Sequence, residues 1–155
     1  MRRIAFAGVL CKNRLMVESG KMMSFEEIRE KMKPLFKEEG LRFVLLFGSA
    51  AQGRTHGRSD IDLAFSYDGP LDIVDLTNKV IGLLHSDSID VVDLRRASPL
   101  MRFSAVKTGK LLYERTAGLF HEYCSFAFRI YADTKKLRDA RVKAIELFLE
   151  MRGVT

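Results

Sequence analysis

The sequence predicts an α/β (α+β) domain: a small mixed sheet with helices packed on one face and a helical C-terminal tail. Three observations predict it. Short apolar runs at residues 42–47, 60–66 and 89–94 have strand length and lie between turn-forming clusters. Segments with helical apolar spacing alternate with them. From Ala117 onward the pattern becomes helical throughout, with Phe120, Cys124, Phe128, Tyr131, Leu137, Ala144, Phe148 and Met151 forming one apolar stripe.

The elements follow in order. Ser24-Phe25-Glu26-Glu27 is a capping box, so a helix follows with Phe25, Ile28 and Met32 on one face. Pro34 kinks or splits it, and Gly40 stops it. Residues 42–47 are nearly all apolar, which suits a central strand. Residues 48–57 hold three glycines and read as a loop or short helix. The second strand, 60–66, ends at Asp68-Gly69-Pro70, a turn sequence. Ile73, Leu76, Val80 and Leu84 mark a helix over 71–84, before the third strand at 89–94. Ser98-Pro99 starts a further helix, which Gly109 stops, and 110–114 is a candidate fourth strand.

Composition narrows the class. At 155 residues, with 47% apolar and 30% charged residues, the chain has room for one domain that buries a core without staples. Cys11 and Cys124 are too few and too far apart for a disulfide framework or a zinc site, so a reducing, cytoplasmic setting is expected. No stretch approaches the ~20 apolar residues of a membrane span, and no membrane partner is expected. The net charge of +6 admits a polyanionic partner. No basic block is interleaved with aromatics, so nucleic acid is not expected as the direct substrate. Residues 1–10 hold two arginines and a short apolar run, but no small-residue cleavage site follows, which argues against a secretory signal. Met22 or Met23, just ahead of the capping box, is a candidate initiator.

The chemistry gathers around Gly48-Ser49, ten residues and then Asp60-Ile61-Asp62. Residues i and i+2 of a strand share a face, so Asp60 and Asp62 project together while Ile61 and Leu63 face the other way. Adjacent carboxylates repel unless a cation joins them, and magnesium suits two carboxylates plus substrate phosphate. Asp90, on a neighbouring strand, would approach within roughly 5 Å of one of them. Asp93 is offset from it by an odd number and faces the other way, so only one of the two joins the site; Asp90 is preferred. A third carboxylate can hold a second metal, the pair clamping an in-line displacement, or take a proton from an attacking hydroxyl. Gly48 permits close approach of backbone to phosphate, Ser49 offers a hydroxyl, and Arg54 and Arg58 can neutralise a polyphosphate. Together these residues imply a metal-dependent phosphoryl or nucleotidyl transferase.

The stretch from Leu46-Phe47-Gly48-Ser49 to Asp60-Ile61-Asp62-Leu63 resembles the motif of the DNA polymerase beta-type nucleotidyltransferase superfamily. It is most similar to the minimal nucleotidyltransferases (MNT), the antitoxins of prokaryotic HEPN/MNT pairs. Residues 89–94 and 109–114 resemble that group too. The resemblance implies a polymerase beta-like fold over 24–115, an extension over 1–23, and a helical tail over 116–155 that packs on the domain or on a partner. It implies catalytic and metal-binding roles for Asp60, Asp62 and Asp90, with Mg2+, in two ions, as cofactor. It implies triphosphate contacts from Gly48 and Ser49, ATP as substrate, and transfer of AMP to a tyrosine of a HEPN toxin.

Two competitors remain open on sequence. One is nucleotidyl transfer to a small molecule such as an aminoglycoside, although such enzymes usually carry an added acceptor-binding domain. The other is a toxin-binding module without chemistry. Self-association through the tail stripe is a further candidate. Arg115, His121 and Tyr123 resemble the Arg…His-x-Tyr motif of the HEPN toxins, but the 40 residues that remain are too few for a HEPN bundle, and the match is read as chance.

Overall fold

The computed structural model describes residues 23–48 and 60–153. Helix α1 (Phe25–Met32) begins with the expected capping box: Glu27 N donates to Ser24 Oγ at 3.2 Å, and Ser24 N donates to Glu27 Oε2 at 2.7 Å. Its apolar face buries Ile28 and Met32. Past Pro34 the chain continues as a single 3-10 turn, Leu35–Lys37. Gly40, at φ +79°, then reverses it into β1 (Leu41–Phe47).

Strands β2 (Ile61–Tyr67), β3 (Ile89–Asp93) and β4 (Lys110–Glu114) complete a four-stranded sheet in the order β3-β2-β1-β4. β1 is antiparallel to both β2 and β4, whereas β2 and β3 are parallel. A parallel neighbour needs a crossover, and helix α2 (Ile73–Leu84) supplies it. Asp72 caps α2 by accepting from Val74 N and Asp75 N. Helix α3 (Pro99–Thr108) carries its proline in the first turn and Ser98 as cap. α3 ends at Gly109, where a Cβ would run into Ala105 O.

The fold class is the one expected, and one detail differs. Helices cover both faces of the sheet rather than one. Val44, Leu46, Leu63 and Phe65 pack towards α1 and α2. Phe43, Leu45, Phe47 and Ala64 pack towards α3 and helix α4 (Leu119–Asp133). The physical reason lies in β1 itself: a strand apolar on both faces needs two covers.

The tail is two helices. α4 belongs to the core through Ala127, Phe120 and Tyr123. Tyr131 adds a ring stacked on Phe103, with centroids 3.9 Å apart. Helix α5 (Lys135–Met151) has no buried residue and leaves Leu137, Leu147, Phe148 and Met151 exposed. Arg138 ties its start to α4, donating to Thr134 Oγ1 at 2.7 Å and lying 3.7 Å over the Tyr131 ring. No helix among the described residues is long and apolar enough to cross a membrane.

Candidate active site

The end of β1 and the starts of β2 and β3 meet at one place. Across the antiparallel pair Phe47 stands opposite Asp62, and across the parallel pair Asp62 stands beside Asp90. Register partners share a face, so the two carboxylates project together. Asp60 lies one residue ahead of β2, and Ile61 N donates to Ser88 O at 3.0 Å, which holds the strand starts level. Ile61 and Leu63 turn to the opposite face and join the core there.

Gly48 closes the site from the β1 side. Its φ is +70°, and a Cβ built on it would collide with Asp62 Oδ2. The position therefore needs glycine twice, once for its backbone and once for the carboxylate beneath it. A glycine directly after an apolar strand was the only local signal, and it did not foretell contact with Asp62. Ser49, Arg54 and Arg58 lie outside the described residues.

Electrostatics set this cluster apart. Asp60 and Asp90 are exposed and Asp62 is half-buried. Among the described residues none of the three forms an ion pair. Burial pushes the Asp62 carboxyl above the usual carboxylate range, and the negative charges of Asp90 and Asp60 push it further. Asp93 has other work. It pairs with Phe65 in the register, and its Oδ1 accepts from Arg95 N at 2.8 Å in the turn after β3.

The donor set suits a hard cation. It consists of carboxylate oxygens that repel one another and have no ion-pair partner among the described residues, next to Gly48. Among the described residues no three His, Cys, Asp or Glu side chains stand close enough to hold an ion by themselves. Magnesium commonly takes one or two carboxylates and completes its shell with water and substrate phosphate.

The HEPN-like triplet is absorbed by the fold. Arg115 donates to Asp68 through both terminal nitrogens, at 2.7 and 3.3 Å. Tyr123 OH donates to Leu94 O at 3.1 Å, and His121 is exposed on α4.

Residues 30–117 match the family model "Polymerase beta, Nucleotidyltransferase". The chain belongs to this nucleotidyltransferase family. It is 30% identical over 147 residues to the protein adenylyltransferase MntA of Aphanizomenon flos-aquae (strain 2012/KM1/D3), covering 86% of this chain and 98% of that one. Its structure is similar to a chain of a toxin–antitoxin crystal structure with AMP-PNP, at a TM-score of 0.68 and 28% identity, covering 80% of this chain and 99% of that one. It is also similar to a chain of the tri-AMPylated Shewanella oneidensis HEPN toxin in complex with MNT antitoxin, at a TM-score of 0.65 and 25% identity, covering 79% and 98%. The MNT resemblance read from the motif is thereby borne out, and the protein is an enzyme of the nucleotidyltransferase class.

Proposed function

We propose that this nucleotidyltransferase is an antitoxin that transfers AMP from ATP to a tyrosine hydroxyl of a HEPN-type toxin. One observation carries the chemistry: Asp62 and Asp90 stand in register beneath Gly48, without counter-charge among the described residues. The acceptor class is supported by the tri-AMPylated HEPN toxin bound to an MNT antitoxin, and the nucleotide by the AMP-PNP complex.

The residues divide the work. Gly48 lets the triphosphate approach the backbone, with Ser49, Arg54 and Arg58 as further phosphate contacts. Asp60, Asp62 and Asp90 would supply the carboxylate ligands of magnesium once substrate phosphate and water join them. When bound there, magnesium neutralises phosphate charge and orients the α-phosphoryl group for in-line attack. Asp90 accepts the tyrosine proton as the new P–O bond forms to the α-phosphorus and the bond to pyrophosphate breaks. The partner reading also gives the exposed apolar face of α5 a use, as the surface that meets the toxin, since a face of this kind seldom stays uncovered on a monomer.

The test is incubation of the full chain with α-labelled ATP, magnesium and a HEPN toxin. Label is expected on a toxin tyrosine. It should fall on the order of 10³-fold or more in an Asp60→Ala, Asp62→Ala double variant, because a bound metal contributes several kcal/mol to such transition states. Undiminished labelling by that variant refutes the catalytic assignment. Tight binding without label refutes the transfer itself.

A further inference from the structure

The other end of β2 opens on a cleft of opposite charge. Ser66, four residues along from Asp62 and so roughly 13 Å away at the rise of a strand, lines a cleft of about 660 Å³. Four arginines, Arg42, Arg95, Arg102 and Arg129, reach it from β1, the turn after β3, α3 and α4. Tyr123 and Phe126 supply aromatic lining.

The charges do not cancel. The cleft's two carboxylates, Asp68 and Glu122, are 3.7 and 3.9 Å from Arg42, and Asp68 is also held by Arg115. Arg102 spends its donors on neutral carbonyls: Nε on Ala97 O at 2.9 Å and Nη2 on Arg95 O at 2.7 Å. Its orientation is therefore fixed, and it forms no ion pair among the described residues. Arg95 and Arg129 are exposed and form no ion pair among the described residues. Three guanidiniums thus line one cleft without an ion-pair partner among the described residues. Arg102 lies 5.6 Å from the centroid of the Phe126 ring, so cation and aromatic surface adjoin.

We propose that this cleft is a second anion site, for a ligand of the nucleoside monophosphate class. Arg95 and Arg129 take the phosphoryl group in the planar, bidentate manner of guanidinium, and Arg102, held by its two carbonyls, adds its charge and its remaining Nη1 donors. The base lies against Phe126 and Tyr123. A concave cleft of this volume suits a small ligand. The proposal does not depend on the adenylyl-transfer reading, because none of its residues belongs to the carboxylate cluster.

The test is a metal-free NMR titration of the isotopically labelled full chain with AMP, and separately with inorganic phosphate. AMP should move the signals of residues 94–95, 102 and 125–129, bind at least threefold more tightly than phosphate, and do so equally in the Asp60→Ala, Asp62→Ala variant. An Arg95→Glu, Arg129→Glu variant should weaken AMP at least tenfold. The milder Arg129→Gln, with its circular dichroism unchanged, should weaken it in the same direction. Shifts confined to residues around Phe47, Asp62 and Asp90 would overturn the proposal. So would AMP binding no tighter than phosphate, or undiminished binding in the charge-reversed variant. Loss of toxin capture in that variant, with no response to AMP in the parent, would make the cleft a protein interface instead.

Discussion

Asp62 and Asp68 sit near opposite ends of the same strand and meet opposite fates. Asp62 is half-buried, forms no ion pair among the described residues, and has its carboxyl pushed upward by burial and by Asp90 and Asp60. Asp68 is bound by Arg115 and approached by Arg42, and the Arg115 hydrogen bonds hold its carboxyl below the usual range. Among the described residues, the fold neutralises one aspartate with its own arginines and gives the other no ion-pair partner. Residue type does not separate a structural carboxylate from a site carboxylate here; the supply of counter-charge does.

The comparison breaks most visibly at Asp62→Asn. AMP transfer should fall on the order of 10³-fold, because a metal ligand and its charge are lost together. The metal-free thermal midpoint should hold or rise, because repulsion from Asp60 and Asp90 is relieved. A variant that unfolds more readily, and loses activity only in proportion, would place Asp62 in the scaffold with Asp68.

Gly48→Ala comes next. The substitution forces a side chain into left-handed backbone and onto the Asp62 carboxylate. A cost of roughly 1–3 kcal/mol is expected for such a strained residue. Chemical denaturation measures it. If Gly48→Ala in an Asp62→Ala background loses noticeably less stability than in the parent, the collision with the carboxylate is real; equal losses would leave backbone strain as the whole effect.

Much of this was legible in advance, for identifiable reasons. The capping box at Ser24, the cap at Ser98 and the stop at Gly109 act within a few residues, and local chemistry sufficed. The alternation of Asp60 and Asp62 with Ile61 and Leu63 carried the face of the carboxylates, because strand period is local too. Two features escaped because they are made by tertiary contact. The even burial of β1 required helices on both sides, and an apolar run shows that it is buried without showing by how many layers. The arginine cleft draws on positions 42, 95, 102 and 129, which share no spacing and meet only once α3 and α4 are docked.

The smallest expected effect belongs to Asp68→Asn, and its pH dependence sharpens the comparison most. A carboxyl whose pKa is lowered by folding stabilises the native state above its unfolded value of 3.8 and loses that contribution as pH falls through the folded value. Asp68 is exposed, so solvent and salt screen the pair and the shift in denaturation midpoint at neutral pH should be slight. The gap between parent and variant should be constant near neutrality, narrow with added salt, and close as the pH is taken below 3.8. AMP transfer should be unaffected throughout the neutral range. A gap that persists in acid would mean that Asp68 acts through packing rather than charge. The two ends of β2 would then differ in geometry alone.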